Sequence, residues 1–180
     1  MSDESIAVVD AQATMPLTSA LGALATYVQR ASAGERAALA RLVPEALRPH
    51  EIAALSRALL FAGLQPERWR AETWPRWALV AHGIALAGHD GRGRLGTQLA
   101  HAGVAESRVT KLLTARGEAF RQLVPRVLRL LASKSVAPNW FELGDLVLKE
   151  GSSEREDLER AEQLRLRIAS AYFAAQAAKD

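Results

Sequence analysis

Between its prolines and glycines this chain repeats one pattern. Apolar residues return every three or four positions, separated mostly by alanine, arginine and glutamate. "GERAALARLV", "EIAALSRALLFAGL" and "PRWALVAHGIALAG" are successive examples. This spacing gathers the apolar side chains on one side of a helix, whereas a half-buried strand needs strict alternation. Runs of valine, isoleucine and aromatics, which favour strands, are missing. The expected fold is therefore all-α, a helical bundle.

The breaks place the elements. A first helix runs through Leu21, Leu24, Ala25 and Val28, with Thr18 or Ser19 as its cap. A second stops at Pro44, and a third ends at Gly63 and Pro66. "PRWALVAHGIALAG" starts with Pro75, which suits a first turn, and is apolar nearly all round, so it should be buried. "GHDGRGRLG" is the clearest loop, followed by a short helix in "TQLAHAG". Helices should then cover Glu106–Ala115, Glu118–Ser133, Trp140–Lys149 and Ser153–Ala175. Pro125 falls inside the second of these and should kink or restart it. A division near the glycine loop gives residues 1–17 as a flexible acidic N-terminus, 18–90 as an N-terminal bundle and 91–180 as a C-terminal bundle with a basic face. A single domain is the alternative.

Cysteine is absent from all 180 residues, which removes disulfides, thiolate metal sites and cysteine nucleophiles. No stretch of about 18 uncharged apolar residues could span a membrane. "MSDESIAVVDAQATMP" has neither the basic flank nor the apolar run of a signal peptide. The expectation is a cytoplasmic protein without a membrane partner.

The net charge is only +3, but residues 91–134 hold nine cations against two anions. "VTKLLTARGEAFRQLVPRVLRLLASK", Val109–Lys134, carries Lys111, Arg116, Arg121, Arg126, Arg129 and Lys134 with Glu118 as its one acid. On a helical wheel Arg129 lies about 80° and Arg126 about 140° from Arg121, while the leucines, valines and Phe120 fill the opposite arc. One side can thus be buried while three guanidiniums stay wet. Guanidinium suits phosphate because its planar fork makes paired hydrogen bonds and never deprotonates. Charge alone points equally to a solvated face or a polyanion site.

Several other motifs invite a functional reading. "GRGRLG", Gly91–Gly96, spells a dinucleotide fingerprint, but that mechanism needs a strand before it and a parallel sheet around it. It reads better as an inter-helix loop from which Arg92 and Arg94 reach a backbone phosphate. His82, His89, Asp90 and His101 lack the carboxylate partners of a metal site, and no "GxSxG" elbow activates a serine. No catalytic residue, metal or cofactor is expected. The acids of "EREDLERAE" suit a helix N-terminus, with Glu156–Arg160 and Glu162–Arg165 as surface pairs. "LAHAGVAESRVTKLL" has the shape of a helix-turn-helix. There Glu106, Ser107, Arg108, Thr110 and Lys111 would face base edges.

In order along the chain, "RAALARLV", "RLGTQLA", "SRVTKLLTARGEAFRQLVPRVLRLLASKSVAPNWFELGDLVL" and "IASAYF" resemble the blocks of the small subunit of the type I-E CRISPR surveillance complex Cascade, the CasB family. The resemblance covers Arg36 to Phe173. It implies an all-helical, non-catalytic protein, present as two copies beside the other Cascade subunits. Its basic faces would support the CRISPR RNA and the target and displaced DNA strands of the R-loop. Carried onto this chain, the nucleic-acid contacts are Arg36, Arg41, Arg108, Lys111, Arg116, Arg121, Arg126, Arg129 and Lys134. The rival functions are a helix-turn-helix regulator that reads duplex sequence, and a structural bundle whose basic face meets an acidic protein.

Overall fold

The computed structural model describes residues 15–179. Within them the chain folds as nine α-helices with no strand: α1 Leu17–Arg30, α2 Ala33–Ala40, α3 Pro49–Phe61, α4 Thr73–Ala87, α5 Leu95–His101, α6 Glu106–Thr114, α7 Gly117–Ser133, α8 Trp140–Lys149 and α9 Arg155–Ala177. A short 3₁₀ turn, Pro66–Arg68, follows α3. Of the N-terminal segment expected to be flexible, residues 1–14 lie outside the described residues, and Leu17 already begins α1.

Each helix starts where its chemistry allows. The side chain of Ser32 caps α2 by accepting from the Glu35 N–H, while Glu35 reaches back to the Ser32 N–H. Asn139 caps α8 by accepting from the Phe141 N–H at 2.9 Å. At α1 the expectation fails: Pro16 precedes the helix, and Thr18 and Ser19 lie inside its first turn. The Pro16 carbonyl accepts from the N–H groups of Ser19 and Ala20, at 2.9 and 3.1 Å, and no side chain caps the helix.

Helix α4 is the axis of the packing. Trp77 to Ile84 are buried without interruption, and the helix contacts α1, α2, α7 and α8. Surrounded on so many sides, it needs no polar face, as its composition foretold. Gly83 lets α8 come close, since a Cβ there would fall 2.3 Å from the Trp140 ring. Helix α9 packs along α5, where a Cβ on Gly96 would lie 2.1 Å from the Ile168 carbonyl oxygen. The third glycine of "GRGRLG" therefore serves helix-to-helix approach.

Helix α7 continues through Pro125, so the proline does not restart it. Phe120 and Val124 before the proline, and Val127, Leu128 and Leu131 after it, are buried in one core. Burying a full side chain contributes about 1.5–3 kcal/mol. Five of them outweigh the roughly 3 kcal/mol that an interior proline costs a helix.

Candidate nucleic-acid interface

Helices α6 and α7 diverge from a tight turn, Ala115–Arg116–Gly117, and leave a groove between them. It has a volume of about 360 Å³ and is lined by Arg108, Lys111, Leu123, Arg126, Val127 and Leu130. Arg108 and Lys111 stand on α6, and Arg126 faces them from α7. All three side chains are exposed and have no hydrogen bond or ion pair among the described residues. The lining contains no carboxylate. The floor is apolar because Leu123 and Leu130, at the edge of the α7 apolar arc, are only half buried. Their position on the wheel pointed to the core, and only the presence of α6 beside them makes them a groove floor.

The cations of α7 do not share one surface. Arg126 faces α6, whereas Arg121, Gln122 and Pro125 lie against Val43, Pro44 and Glu45, in the segment after α2. The Arg121 Nε donates to Glu45 Oε1 at 2.6 Å, with the Arg121 side chain 31% exposed. Arg129 is exposed and has no ion pair. Its charge acts on His82 of α4, a side chain only 7% exposed. Burial pushes the His82 pKa down and Arg129 adds to the effect, against the carbonyls of Ala40 and Leu39, which hold it up. Arg41 is the exposed C-cap residue of α2. Lys134 is exposed at the C-terminal end of α7.

Arg116 has a different post. Its Nη1 donates to the carbonyls of Leu113, Thr114 and Ala115 at 2.8–3.0 Å, and its Nη2 meets Glu162 at 2.9 Å. The guanidinium thereby satisfies the last carbonyls of α6. Arg36 on α2 is exposed, with one Nη2 contact of 3.3 Å to the Ala31 carbonyl. Of the nine cations carried over from the resemblance, then, Arg116 and Arg121 are engaged inside the protein. Arg41, Arg108, Lys111, Arg126, Arg129 and Lys134 remain without hydrogen-bond or ion-pair partners among the described residues.

The acids of α9 are also placed differently from the surface pairs expected. Arg160 pairs with Asp145 of α8 at 3.1 Å instead of Glu156. Arg165 does meet Glu162, at 2.8 Å, but its side chain is buried, and it pairs as well with buried Glu150. Helix-turn-helix spacing is present in that Gly103, at φ 69°, joins α5 to α6 and the polar residues of α6 are exposed. Two of them, Arg108 and Lys111, point into the α7 groove. Among the described residues no group of three or more histidines and acids is arranged to hold a metal, and no helix is long and apolar enough to cross a membrane.

No curated protein and no solved structure matches the chain significantly. The family model of CRISPR-associated protein Cse2 matches residues 35–173, from the first turn of α2 to the last third of α9. That span takes in both walls of the groove and most of the chain. The chain accordingly belongs to the Cse2 (CasB) family of type I-E CRISPR Cascade, and is a subunit of that complex.

Proposed function

We propose that the chain is a non-catalytic grip on nucleic-acid backbones within Cascade. It holds the CRISPR RNA and the target and displaced DNA strands, and so stabilises the R-loop, with two copies acting in the complex. The groove between α6 and α7 carries this reading: Arg108, Lys111 and Arg126 converge on it without a carboxylate to neutralise them. Cations gathered at one place on the surface repel one another, and a polyanion relieves that repulsion. Arg41, Arg129 and Lys134 extend the contact beyond the groove, and Arg36 adds to it from α2. R-loop formation exchanges one duplex for another of about equal stability, so protein contacts to the backbone tip the balance.

The experiment is charge reversal in the assembled complex. Arg126→Glu with Arg129→Glu is the informative pair, because neither residue holds an internal ion pair whose loss would confuse the result. The complex should assemble normally, and its R-loops should dissociate faster at physiological salt on every target sequence alike. Parent-like R-loop lifetimes would remove these arginines from the interface. A tight, sequence-selective affinity of the chain alone for duplex DNA would favour the regulator, which gains about 1–3 kcal/mol per correct base pair.

A further inference from the structure

The loop between α4 and α5, residues 88–94, is fastened along its whole length. The Gly88 carbonyl accepts from Trp140 Nε1 at 2.9 Å, and the His89 Nδ1 accepts from the Trp140 N–H at 3.1 Å. The Asp90 N–H donates to the Pro138 carbonyl, and the Asp90 carbonyl accepts from Gln98 Nε2, both at 3.1 Å. The Gly93 carbonyl accepts from Asn139 Nδ2 at 2.7 Å. Gln98 and Asn139 are themselves buried, and Gln98 Oε1 takes the Asn139 N–H at 2.7 Å. Gly91 and Gly93 lie so close to the protein that a Cβ would fall 2.5 Å from the Phe141 ring and 2.9 Å from the Gln98 amide.

A connection that only joined two helices would need none of this. What the fastening holds in place is a pair of arginines alternating with the glycines. Arg92 and Arg94 are exposed and have no hydrogen bond or ion pair from their side chains among the described residues. The carboxylates beside them are turned to the backbone: Asp90 Oδ1 accepts the N–H of Arg92 at 3.0 Å, and Glu142 Oε2 that of Leu95 at 2.7 Å. Next to the loop is an open cavity of about 440 Å³, lined by Gly88 and His89 on one side and by Thr26, Gln29 and Arg36 on the other.

We propose that this loop, with Arg36 across the cavity, is a second clamp for a nucleic-acid strand, distinct from the α6–α7 groove, in which Arg92 and Arg94 grip successive phosphates. The inference rests on the reading of the chain as a backbone-gripping subunit. A fastened loop loses little freedom when it binds, so more of each guanidinium–phosphate contact appears as affinity. Guanidinium forks match phosphate oxygens in pairs.

The test uses the full-length chain with a labelled polythymidine strand, comparing Arg92→Ala/Arg94→Ala with the groove variant Arg108→Ala/Lys111→Ala/Arg126→Ala. Each lost phosphate contact on a single strand lowers the slope of log affinity against log salt by about 0.7. The loop variant should therefore lose about 1.4 from the slope and bind several-fold more weakly at low salt, with an unchanged melting temperature. If the loop variant binds as the parent does while the groove variant weakens, the second clamp is wrong and the proposed function stands. If the loop variant alone weakens, the clamp is supported and the groove assignment fails. If neither variant changes slope or affinity, both readings fall together.

Discussion

Arg165 of α9 and Glu150 at the end of α8 form an ion pair inside the protein, their side chains 5% and 4% exposed. Both reach from there to the turn between α6 and α7. Glu150 Oε1 accepts the Gly117 N–H at 2.8 Å, and Arg165 Nη2 lies 3.4 Å from the Ala115 carbonyl. Arg165 Nη1 meets Glu162 at 2.8 Å, and Glu162 in turn holds Arg116. The guanidinium also sits 5.7 Å from the centre of the Phe120 ring. This network fixes the vertex of the groove, so two residues far from any expected ligand set the angle of its walls.

Removing one member strands the other's charge in the interior. Glu150→Ala should destabilise the fold by about 3–5 kcal/mol, the usual consequence of breaking a buried pair. Urea denaturation measures this. Replacing both by a well-packed apolar pair should cost far less, because no uncompensated charge remains.

Gly96→Ala tests the contact between α5 and α9. The added methyl would meet the Ile168 carbonyl oxygen at 2.1 Å and the Tyr172 nitrogen at 2.6 Å, both backbone atoms that cannot swing aside. Overpacking of this kind costs about 1–3 kcal/mol or more. A clear drop in melting temperature is expected, whereas Gly34→Ala, on the exposed side of α2, should be neutral or mildly stabilising.

The cations should divide by occupation. Arg116→Ala should lower stability by about 1 kcal/mol through loss of its carbonyl contacts. Arg121→Ala should lower it by no more than about 1 kcal/mol, as a partly exposed pair. Arg126→Ala and Arg129→Ala should leave the melting temperature unchanged, and each should reduce the salt dependence of nucleic-acid binding by about 0.7–0.9 in slope. Parallel melting and binding titrations separate the two kinds.

Acidification has a defined sign. His82 and His89 both have pKa values held down, chiefly by burial, so the unfolded chain binds protons more readily than the folded one. Their contribution is present above the ordinary histidine value of about 6.5 and is lost as the pH falls below it. Glu51 behaves differently. The Arg48 guanidinium, then the Arg48 backbone N–H, hold its carboxyl down at about 2. Its contribution is present above the ordinary carboxylate range and is lost only as the pH falls towards about 2. Melting temperature should therefore begin to fall below about pH 6.5, and His82→Gln should flatten that first decline without changing the loss at lower pH.

Helical periodicity located most of the fold in advance. Helix α8 has the bounds read from "NWFELGDLVLK", and α7 begins one residue before its expected start. The burial of α4 was equally visible in its composition. Partners across the chain were not visible. Glu45 and Arg121 are 76 positions apart, and no local pattern announces that one neutralises the other. Arg165 carries the same letter as any surface arginine, yet three elements converge on it. The wheel likewise gave the sides of α7 but not its neighbours. Its cationic arc is divided between α6 and the segment after α2, which leaves Arg126 in the groove and Arg121 against Glu45.

The groove itself is tested most directly by the salt dependence of nucleic-acid binding by full-length chain and by Arg108→Ala/Lys111→Ala/Arg126→Ala. The parent slope should fall by about two units in the variant, equally for unrelated sequences, with the melting temperature retained. An unchanged slope in a folded variant would mean that no phosphate sits between α6 and α7, and would contradict the account.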